Sequence, residues 1–150
     1  MTVCEKQRER RDWLAVLAAA PSEALEAAIR AMPSLPAATP VRAPESGMVM
    51  LRGRIGGTGD AFNLGEATVT RCALRVGDAL GVGYTLGRDR RKAERIALLD
   101  ALLQDDARRE ALQRAVIAPL REQQVQAQQA ASRAAAASRV EFFTLVRGEA

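Results

Sequence analysis

The placement of glycine constrains this chain more than any other feature of its sequence. Ten of the eleven glycines lie between Gly47 and Gly87, where they separate three runs that are typical of β-strands. These runs cover residues 48–55, 67–76 and 79–86, and each is bounded by a glycine-containing turn sequence. Because consecutive strands joined by short turns usually pair with each other, we expect a three-stranded antiparallel meander.

Helical spacing replaces strand alternation after Arg88. Residues 88–104 are predicted to form a helix, with Asp89 as a suitable N-cap. Its wide apolar face contains Ala93, Ile96, Ala97, Leu99, Leu102 and Leu103. A small sheet followed by such a helix predicts an α+β fold in which helices pack against the sheet.

The first 32 residues predict a helical hairpin. Residues 5–19 and residues from Pro21 or Ser22 to Met32 carry apolar residues at helical spacing. A DNA-binding helix-turn-helix is an alternative, but Glu23 and Glu26 lie on the exposed face of the second helix, where they would repel phosphate. The hairpin is therefore expected to cover a sheet or a partner.

The rest of the chain is predicted to contain a linker, further helices and a terminal strand. Residues 33–46 hold four prolines and indicate an extended linker, whereas residues 105–117 and the Gln- and Ala-rich residues 120–139 indicate helices. The long helix either packs against another helix or subunit, or is solvated. Residues 140–146 indicate a strand that joins a sheet of this chain or of a partner. Its candidate interface residues are Val140, Phe142, Phe143 and Leu145. All 150 residues are expected to form one domain.

Composition excludes several classes of function. The chain has no histidine, so it lacks the commonest general base and metal ligand. Cys4 and Cys72 are the only cysteines, too few for a zinc knuckle or a disulfide framework, and they are expected to be reduced thiols in the cytoplasm. Acidic and basic residues are interspersed, with a net charge of +4. No apolar run approaches the roughly 20 residues that span a bilayer. No catalytic or metal-binding residue is predicted.

Arginines at alternate positions of the first two predicted strands indicate a basic face. If these strands pair through the glycine turn, their guanidinium groups are expected to lie on one side of the sheet. These cations are Arg52, Arg54, Arg71 and Arg75. Such a face would need a phosphate or a carboxylate-rich partner, unless Glu45 and Glu66 neutralise it internally.

The turn between these strands has two interpretations. Its successive backbone N–H groups could cradle a phosphate, or its glycines could simply supply the positive φ of a hairpin connector. A nucleotide P-loop is excluded because no Gly-Lys-Ser/Thr follows. The turn residues Gly56, Gly57, Thr58 and Gly59, together with the basic face and Arg88, form the predicted phosphate- or partner-binding set.

Several motifs follow one another in a fixed order along the chain. They are RAPESGMVM at 42–50, RIGGTG at 54–59, LGEATVTR at 64–71, LGRD at 86–89, AER at 93–95, DAL at 100–102, IAPL at 117–120 and ASRVEFFTLVRG at 137–148. Together they resemble the PhnG family, the G subunits of the bacterial carbon–phosphorus lyase system for phosphonate breakdown. The resemblance extends from about Arg11 to Gly148. One departure is Lys92, which stands where related sequences commonly have histidine.

The resemblance implies a subunit that is not catalytic alone. It implies a cytoplasmic core complex with the H, I and J subunits, and a reaction that needs the I, H and L subunits. In that reaction the ribose triphosphate of ATP is transferred to a phosphonate with loss of adenine. ATP and the phosphonate are substrates of the complex, and no cofactor is expected on this subunit. The isolated chain is a possible homodimer. The alternative function is a small basic module that binds nucleic acid or regulates another protein; an independent nucleotide hydrolase is a third.

Overall fold

A computed structural model describes residues 3–137 of the chain and contains helices and one sheet. In chain order the elements are α1 (Val3–Ala19), α2 (Ser22–Arg30), β1 (Thr39–Arg54), β2 (Ala61–Val76), β3 (Ala79–Leu86), α3 (Arg90–Leu103), α4 (Asp106–Leu112) and α5 (Ala118–Ala137). A 3₁₀ turn at Ile55–Gly57 connects β1 to β2, and a π-helical turn at Gln113–Ile117 connects α4 to α5. The predicted α+β fold class is confirmed.

The sheet is an antiparallel meander with strand order β1-β2-β3. Strand β1 pairs with β2 from Thr39 opposite Arg75 to Arg54 opposite Ala61. Strand β3 pairs only with the second half of β2, from Val69 opposite Leu86 to Val76 opposite Ala79. Among the strands of residues 3–137, the first half of β2 therefore has only β1 beside it.

The predicted linker over residues 33–46 is wrong in its second half, because residues 39–46 belong to β1. Pro40 and Pro44 are tolerated there because β1 is an edge strand, where a missing N–H can face outward. The pairing of β1 with β2 also shifts register between Pro40 and Arg42 and between Arg42 and Glu45. Strands β1 and β2 are both longer than the 48–55 and 67–76 predicted from alternation.

Helix α3 lies between the sheet and the other helices, and its two buried faces differ in size. Ala93, Ala97 and Ala101 face the sheet and form a cluster with Cys72 and Leu74. The opposite face packs larger residues into a helical core that contains Trp13, Leu17, Leu25, Ile96, Leu99, Leu103, Ile117 and Leu120. Small side chains on one face let α3 approach β3 closely, and large ones on the other bury most of the apolar surface.

The N-terminal hairpin packs on helix α3, and it reaches the sheet through α1, where Arg10 Nη2 donates to the Leu80 carbonyl oxygen of β3. The predicted cover of a sheet is therefore found only in part, and cover of a partner stays a prediction. Leu25 of α2 is fully buried, and Arg95 of α3 contacts Glu26 at 2.6 Å and Ser22 Oγ at 2.8 Å. Because α2 is held on the helical layer through its buried and acidic residues, it does not present a recognition helix to a DNA groove.

The beginning of α5 packs against the helical core. Leu120 is buried, and Gln124 Nε2 donates to the carbonyl oxygen of Val16 in α1 at 2.8 Å. From Val125 to Ala137 every side chain is exposed. None of the helices within residues 3–137 is long and apolar enough to cross a membrane. The predicted terminal strand at 140–146 lies outside the described residues.

Asp89 caps α3, as predicted, and its loss is expected to destabilise the fold in a pH-dependent way. Its carboxylate accepts a hydrogen bond from the Lys92 N–H at 2.8 Å, and this bond is the main cause that lowers the pKa of Asp89. Asp89→Ala should cost about 1 kcal/mol of unfolding free energy at pH 7. A lowered folded-state pKa gives stability that is present above the unfolded-state pKa and is lost as the pH falls through the folded-state value.

Urea unfolding of wild type and Asp89→Ala between pH 3 and pH 7 checks this expectation. The difference in unfolding free energy between wild type and Asp89→Ala should be largest at neutral pH and shrink as the pH falls below about 4. Asp89→Asn is the matched control, because an amide oxygen can cap the helix without titrating. A gap between wild type and Asp89→Ala that is unchanged at low pH would contradict the capping role.

Candidate functional site

The glycine turn is a hairpin connector closed by its own hydrogen bonds. Gly56 and Gly57 adopt φ of 60° and 81°, a conformation that favours glycine. The Gly59 N–H donates to the Ile55 carbonyl at 2.9 Å, and Arg54 Nη1 donates to the Gly59 carbonyl at 3.0 Å. The connector interpretation accounts for the positive φ values. A phosphate contact at this turn stays a prediction.

Arg52 and Arg54 lie beside the turn, on the strand face that also carries Met48 and Met50. Alternation along β1 sets these four residues opposite to the face of Glu45, Val49 and Leu51. Arg52 pairs across the hairpin with Asn63, and Arg54 with Ala61. No carboxylate within residues 3–137 forms a salt bridge with either arginine. The Arg52 guanidinium, and the donors of Arg54 other than the one that contacts the Gly59 carbonyl, are therefore available to a ligand or partner.

Arg71 is neutralised within the sheet by its cross-strand neighbour. Glu45 Oε1 accepts from Arg71 Nε at 2.7 Å and from Arg42 Nη1 at 2.6 Å. These two hydrogen bonds, Arg42 first, hold the pKa of Glu45 below its ordinary value. The hydrogen bond between Glu45 and Arg71, and to a lesser extent one with Tyr84, raises the pKa of Arg71. Glu45 thus neutralises Arg71 within the chain. Internal neutralisation is one of the two alternatives that the sequence leaves open for the basic face.

The expectation that the four strand arginines share one face is wrong. Arg71 lies opposite Glu45, whereas Arg52 lies opposite Asn63. The seven residue steps along β1 from Glu45 to Arg52 correspond to about 23 Å. The two pairs also point to opposite faces of the hairpin. Arg75 is exposed near Thr39 at the far end of the sheet, and Arg88 is exposed in the loop before α3. The structure groups only Arg52 and Arg54 with the glycine turn.

Lys92 stabilises the end of α1. Its Nζ donates to the carbonyl oxygen of Ala18 at 2.8 Å, in the last turn of that helix. A cation at this position also interacts favourably with the negative end of the helix dipole. The lysine therefore has a clear structural role that connects α1 to α3.

Sequence reasoning missed a buried polar cluster around Asp100. This side chain is fully buried and accepts hydrogen bonds from Arg10 Nη2 at 2.8 Å, Trp13 Nε1 at 2.9 Å and the Val82 N–H at 2.9 Å. Arg10 and Gln104 also donate to the Leu80 carbonyl oxygen. A signal was present, because Asp100 occupies an inward position of α3 four residues after Ile96. Its partners come from other elements, so the spacing did not reveal them. These hydrogen bonds satisfy the fully buried Asp100 carboxylate and the buried Trp13 indole N–H, which makes the cluster structural.

Cys72 lies at a cavity of about 410 Å³ between α2, α3 and the first half of β1. Apolar side chains that include Ile29, Leu74 and Leu98 line most of it. Burial, and to a lesser extent the charge of Glu94, raise the pKa of the Cys72 thiol. A raised pKa disfavours the thiolate, so Cys72 is not equipped to act as a nucleophile. Within the part of the chain that the structure describes, no group of three acidic or cysteine side chains is placed to hold a metal ion.

The predicted interface residues Val140, Phe142, Phe143 and Leu145 lie outside the described residues. Similarity to known proteins nevertheless covers this part of the chain. The family described as phosphonate metabolism protein PhnG matches residues 8–148. A relative from Rhizobium meliloti (strain 1021), named alpha-D-ribose 1-methylphosphonate 5-triphosphate synthase subunit PhnG, is 45% identical over 146 residues. That alignment covers 94% of this chain and 90% of the relative. The chain therefore belongs to the PhnG family of phosphonate metabolism proteins.

Proposed function

We propose that this chain is the PhnG-type subunit of an alpha-D-ribose 1-methylphosphonate 5-triphosphate synthase in phosphonate catabolism. The observation that carries the proposal is the 45% identity, over 94% of the chain, to a relative with that name. The match includes the turn, the three strands and the C-terminal run, so it covers every part of the chain that bears a candidate interface.

The reaction that we propose for the complex transfers the ribose triphosphate of ATP to a phosphonate. A phosphonate oxygen forms a bond to C1′ of the ribose while the N-glycosidic bond to adenine breaks. The bonding electrons leave with adenine, which takes up the proton that the phosphonate gives up. ATP and the phosphonate are substrates of the complex, and we propose no cofactor for this subunit.

Within the complex this chain is proposed to support catalysis by its partners. A sequence without histidine and a Cys72 thiol with a raised pKa agree with a supporting role. We propose the H, I and J subunits as core partners, the I, H and L subunits as those needed for the reaction, and the cytoplasm as the compartment. Partner-free chains are proposed to self-associate as homodimers. Arg52, Arg54 and the adjacent turn are the best placed of the candidate residues for contact with a triphosphate or a partner, because Arg71 is engaged by Glu45.

Co-expression with the I-, H- and L-type subunits of the same organism tests this function. We expect the wild-type chain to co-purify with the I-type subunit and the full set to release adenine from ATP and methylphosphonate. This chain alone should leave ATP intact, and omission of this chain alone should abolish adenine release. Failure of the wild-type chain to join the other subunits would contradict the proposal.

A deletion of residues 140–146 refines the same test. We propose that Val140, Phe142, Phe143 and Leu145 contact a partner, so the deletion should abolish co-purification. The thermal unfolding midpoint of the isolated chain should stay close to that of wild type. Normal assembly after the deletion would remove these residues from the interface.

A further inference from the structure

The β1–β2 hairpin extends beyond the helical layer as an arm, defined here as residues 47–66. No residue of this arm is buried, and its exposed large apolar side chains are Met48, Met50, Leu51, Ile55, Phe62 and Leu64. Beside β2 the third strand begins only at the pair Val69–Leu86. The arm is therefore a two-stranded ribbon with both faces open to solvent. Such a ribbon is marginally stable in water until a third strand or another surface covers it.

One face of the arm is apolar and continuous. Val49 and Leu51 point to this face, and a Cβ placed on Gly53 would lie 3.7 Å from Phe62 Cε1 and 3.9 Å from Leu64 Cβ. Phe62 and Leu64 thus cover the glycine on the same face. An exposed apolar patch on a structured strand pair is typical of a protein interaction site.

The free edge of β1 is protected only in its first half. Residues 39–46 contain Pro40, Pro44 and two register shifts, devices that prevent pairing with another strand. Residues 47–54 contain no proline and only one shift in pairing, between Leu51 and Arg52. At the opposite edge of the sheet, Asp100 and Arg10 occupy the outward Val82 N–H and Leu80 carbonyl. The arm therefore carries an unprotected edge along residues 47–54 of β1. Its β2 edge also lacks a third strand among the described residues, but the extra residue Leu64 between the pairs Leu51–Gly65 and Arg52–Asn63 interrupts that edge.

Charge distinguishes the possible occupants of this edge. Residues 47–54 hold Arg52 and Arg54 and no carboxylate. Two-fold pairing of this run with itself would bring four arginines and no acidic group into one short ladder, and like charges in a ladder are destabilising. A strand that is apolar and carries a carboxylate near these arginines would pair with the free backbone groups of the edge and neutralise the positive charge.

We propose that a β-strand of a different subunit of the synthase, apolar and with a carboxylate near Arg52 or Arg54, adds to the edge of β1 along residues 47–54. Backbone hydrogen bonds would supply most of the affinity. Specificity would come from the apolar face of the arm and from the two arginines. This inference rests on the proposed function, since the partner is a subunit of that complex.

Lysine substitutions on the two halves of the same strand test the proposal. Met50→Lys places a charge on the unprotected half, and Val41→Lys places one on the protected half, at side chains that are 53% and 56% exposed. Both variants should unfold like wild type when isolated. In the co-expressed complex, Met50→Lys should weaken association by about tenfold or more, whereas Val41→Lys should stay within about twofold of wild type.

Charge reversal and hydrogen exchange add independent readouts. The double variant Arg52→Glu/Arg54→Glu should weaken association strongly, and Arg75→Glu, on the other face, should not. The outward amides of residues 47–54, which do not donate to β2, should become protected from exchange only in the complex. The inference is overturned if the wild-type chain assembles and Met50→Lys assembles equally well. It is also overturned if the wild-type chain assembles but residues 47–54 gain no protection. Either result leaves the proposed function intact.

The same measurements identify a wrong occupant. Protection of the outward amides of residues 47–54 in the isolated wild-type chain, lost in Met50→Lys together with a fall in solution mass, would assign the edge to a second copy. If that protection is lost when residues 138–150 are deleted, the occupant is the C-terminal segment of this chain. Either result would overturn the proposal that a different subunit binds there. If the wild-type chain fails to assemble at all, the proposed function fails first.

Discussion

Asp100→Ala is expected to reduce the free energy of unfolding by about 3 kcal/mol or more, among the largest effects of any single side chain in this chain. The substitution removes the acceptor of Arg10, of the Trp13 indole N–H and of the Val82 N–H. Arg10 keeps the Leu80 carbonyl and some access to water, because its side chain is 34% exposed. The Trp13 indole N–H and the Val82 N–H lose the acceptor that the fully buried Asp100 supplies. Urea unfolding monitored by circular dichroism measures the loss.

Two variants distinguish the loss of the buried hydrogen bonds of Asp100 from the general effect of removing a negative charge. Glu110→Ala removes a carboxylate whose side chain is 83% exposed and paired with Arg114, so it should change stability by less than about 0.5 kcal/mol. Asp100→Asn keeps an acceptor for the indole but weakens the Arg10 contact, so its loss should be intermediate. Hydrogen exchange should also show faster opening at Val82 in Asp100→Ala. Wild-type stability of Asp100→Ala would disprove the structural role.

Gly83→Ala is expected to cost about 3 kcal/mol or more, because the added methyl group meets backbone and not a movable side chain. A Cβ at this position would lie 1.9 Å from the Ala93 carbonyl oxygen. Gly81 has the same constraint, with the Ala97 carbonyl oxygen at 2.0 Å. The clash can be relieved only if α3 moves away from β3. Such a movement would separate the sheet from the helix whose two faces form the two hydrophobic clusters.

Gly47→Ala is the matched control for this prediction. No atom beyond the two neighbouring residues lies within 4 Å of a Cβ at Gly47, and the φ of Gly47 is not in the left-handed region. The free energy of unfolding should therefore change by less than about 0.5 kcal/mol. Chemical unfolding of the three proteins, with hydrogen exchange of α3 amides, provides the measurement. An equal effect of the two substitutions would show that the α3–β3 spacing does not control stability.

Local patterns accounted for much of the fold. The alternation of residues 79–86 predicted β3 with the observed bounds, and Asp89 was recognised as the cap of α3 because capping depends on residues three positions apart. The length of β1 was missed, since Pro40 and Pro44 are typical of a linker. Their acceptance in a strand depends on the pairing of residues 39–45 with residues 71–75 of β2, which are 26 to 36 positions away in the sequence.

The candidate site was predicted less well, for a similar reason. The alternation that assigns Arg52 and Arg54 to one face of β1 was correct, but the register with β2 places Arg71 beside Glu45, far from both. Asp100 was visible as a charged residue at an inward helical position. Its donors, Arg10 and the Val82 N–H, are 90 and 18 residues away in sequence and come from two other elements.

The sequence by itself determined the family, the α+β class, the order of the elements and the glycine turn, because periodicity, capping and motif order depend on residues that are near one another in the chain. The tertiary structure alone decided which arginines are neutralised, how closely α3 approaches β3, and which edge of the sheet stays uncovered. Those features depend on strand register and on contacts between distant elements, where a shift of one residue moves a side chain to the other face.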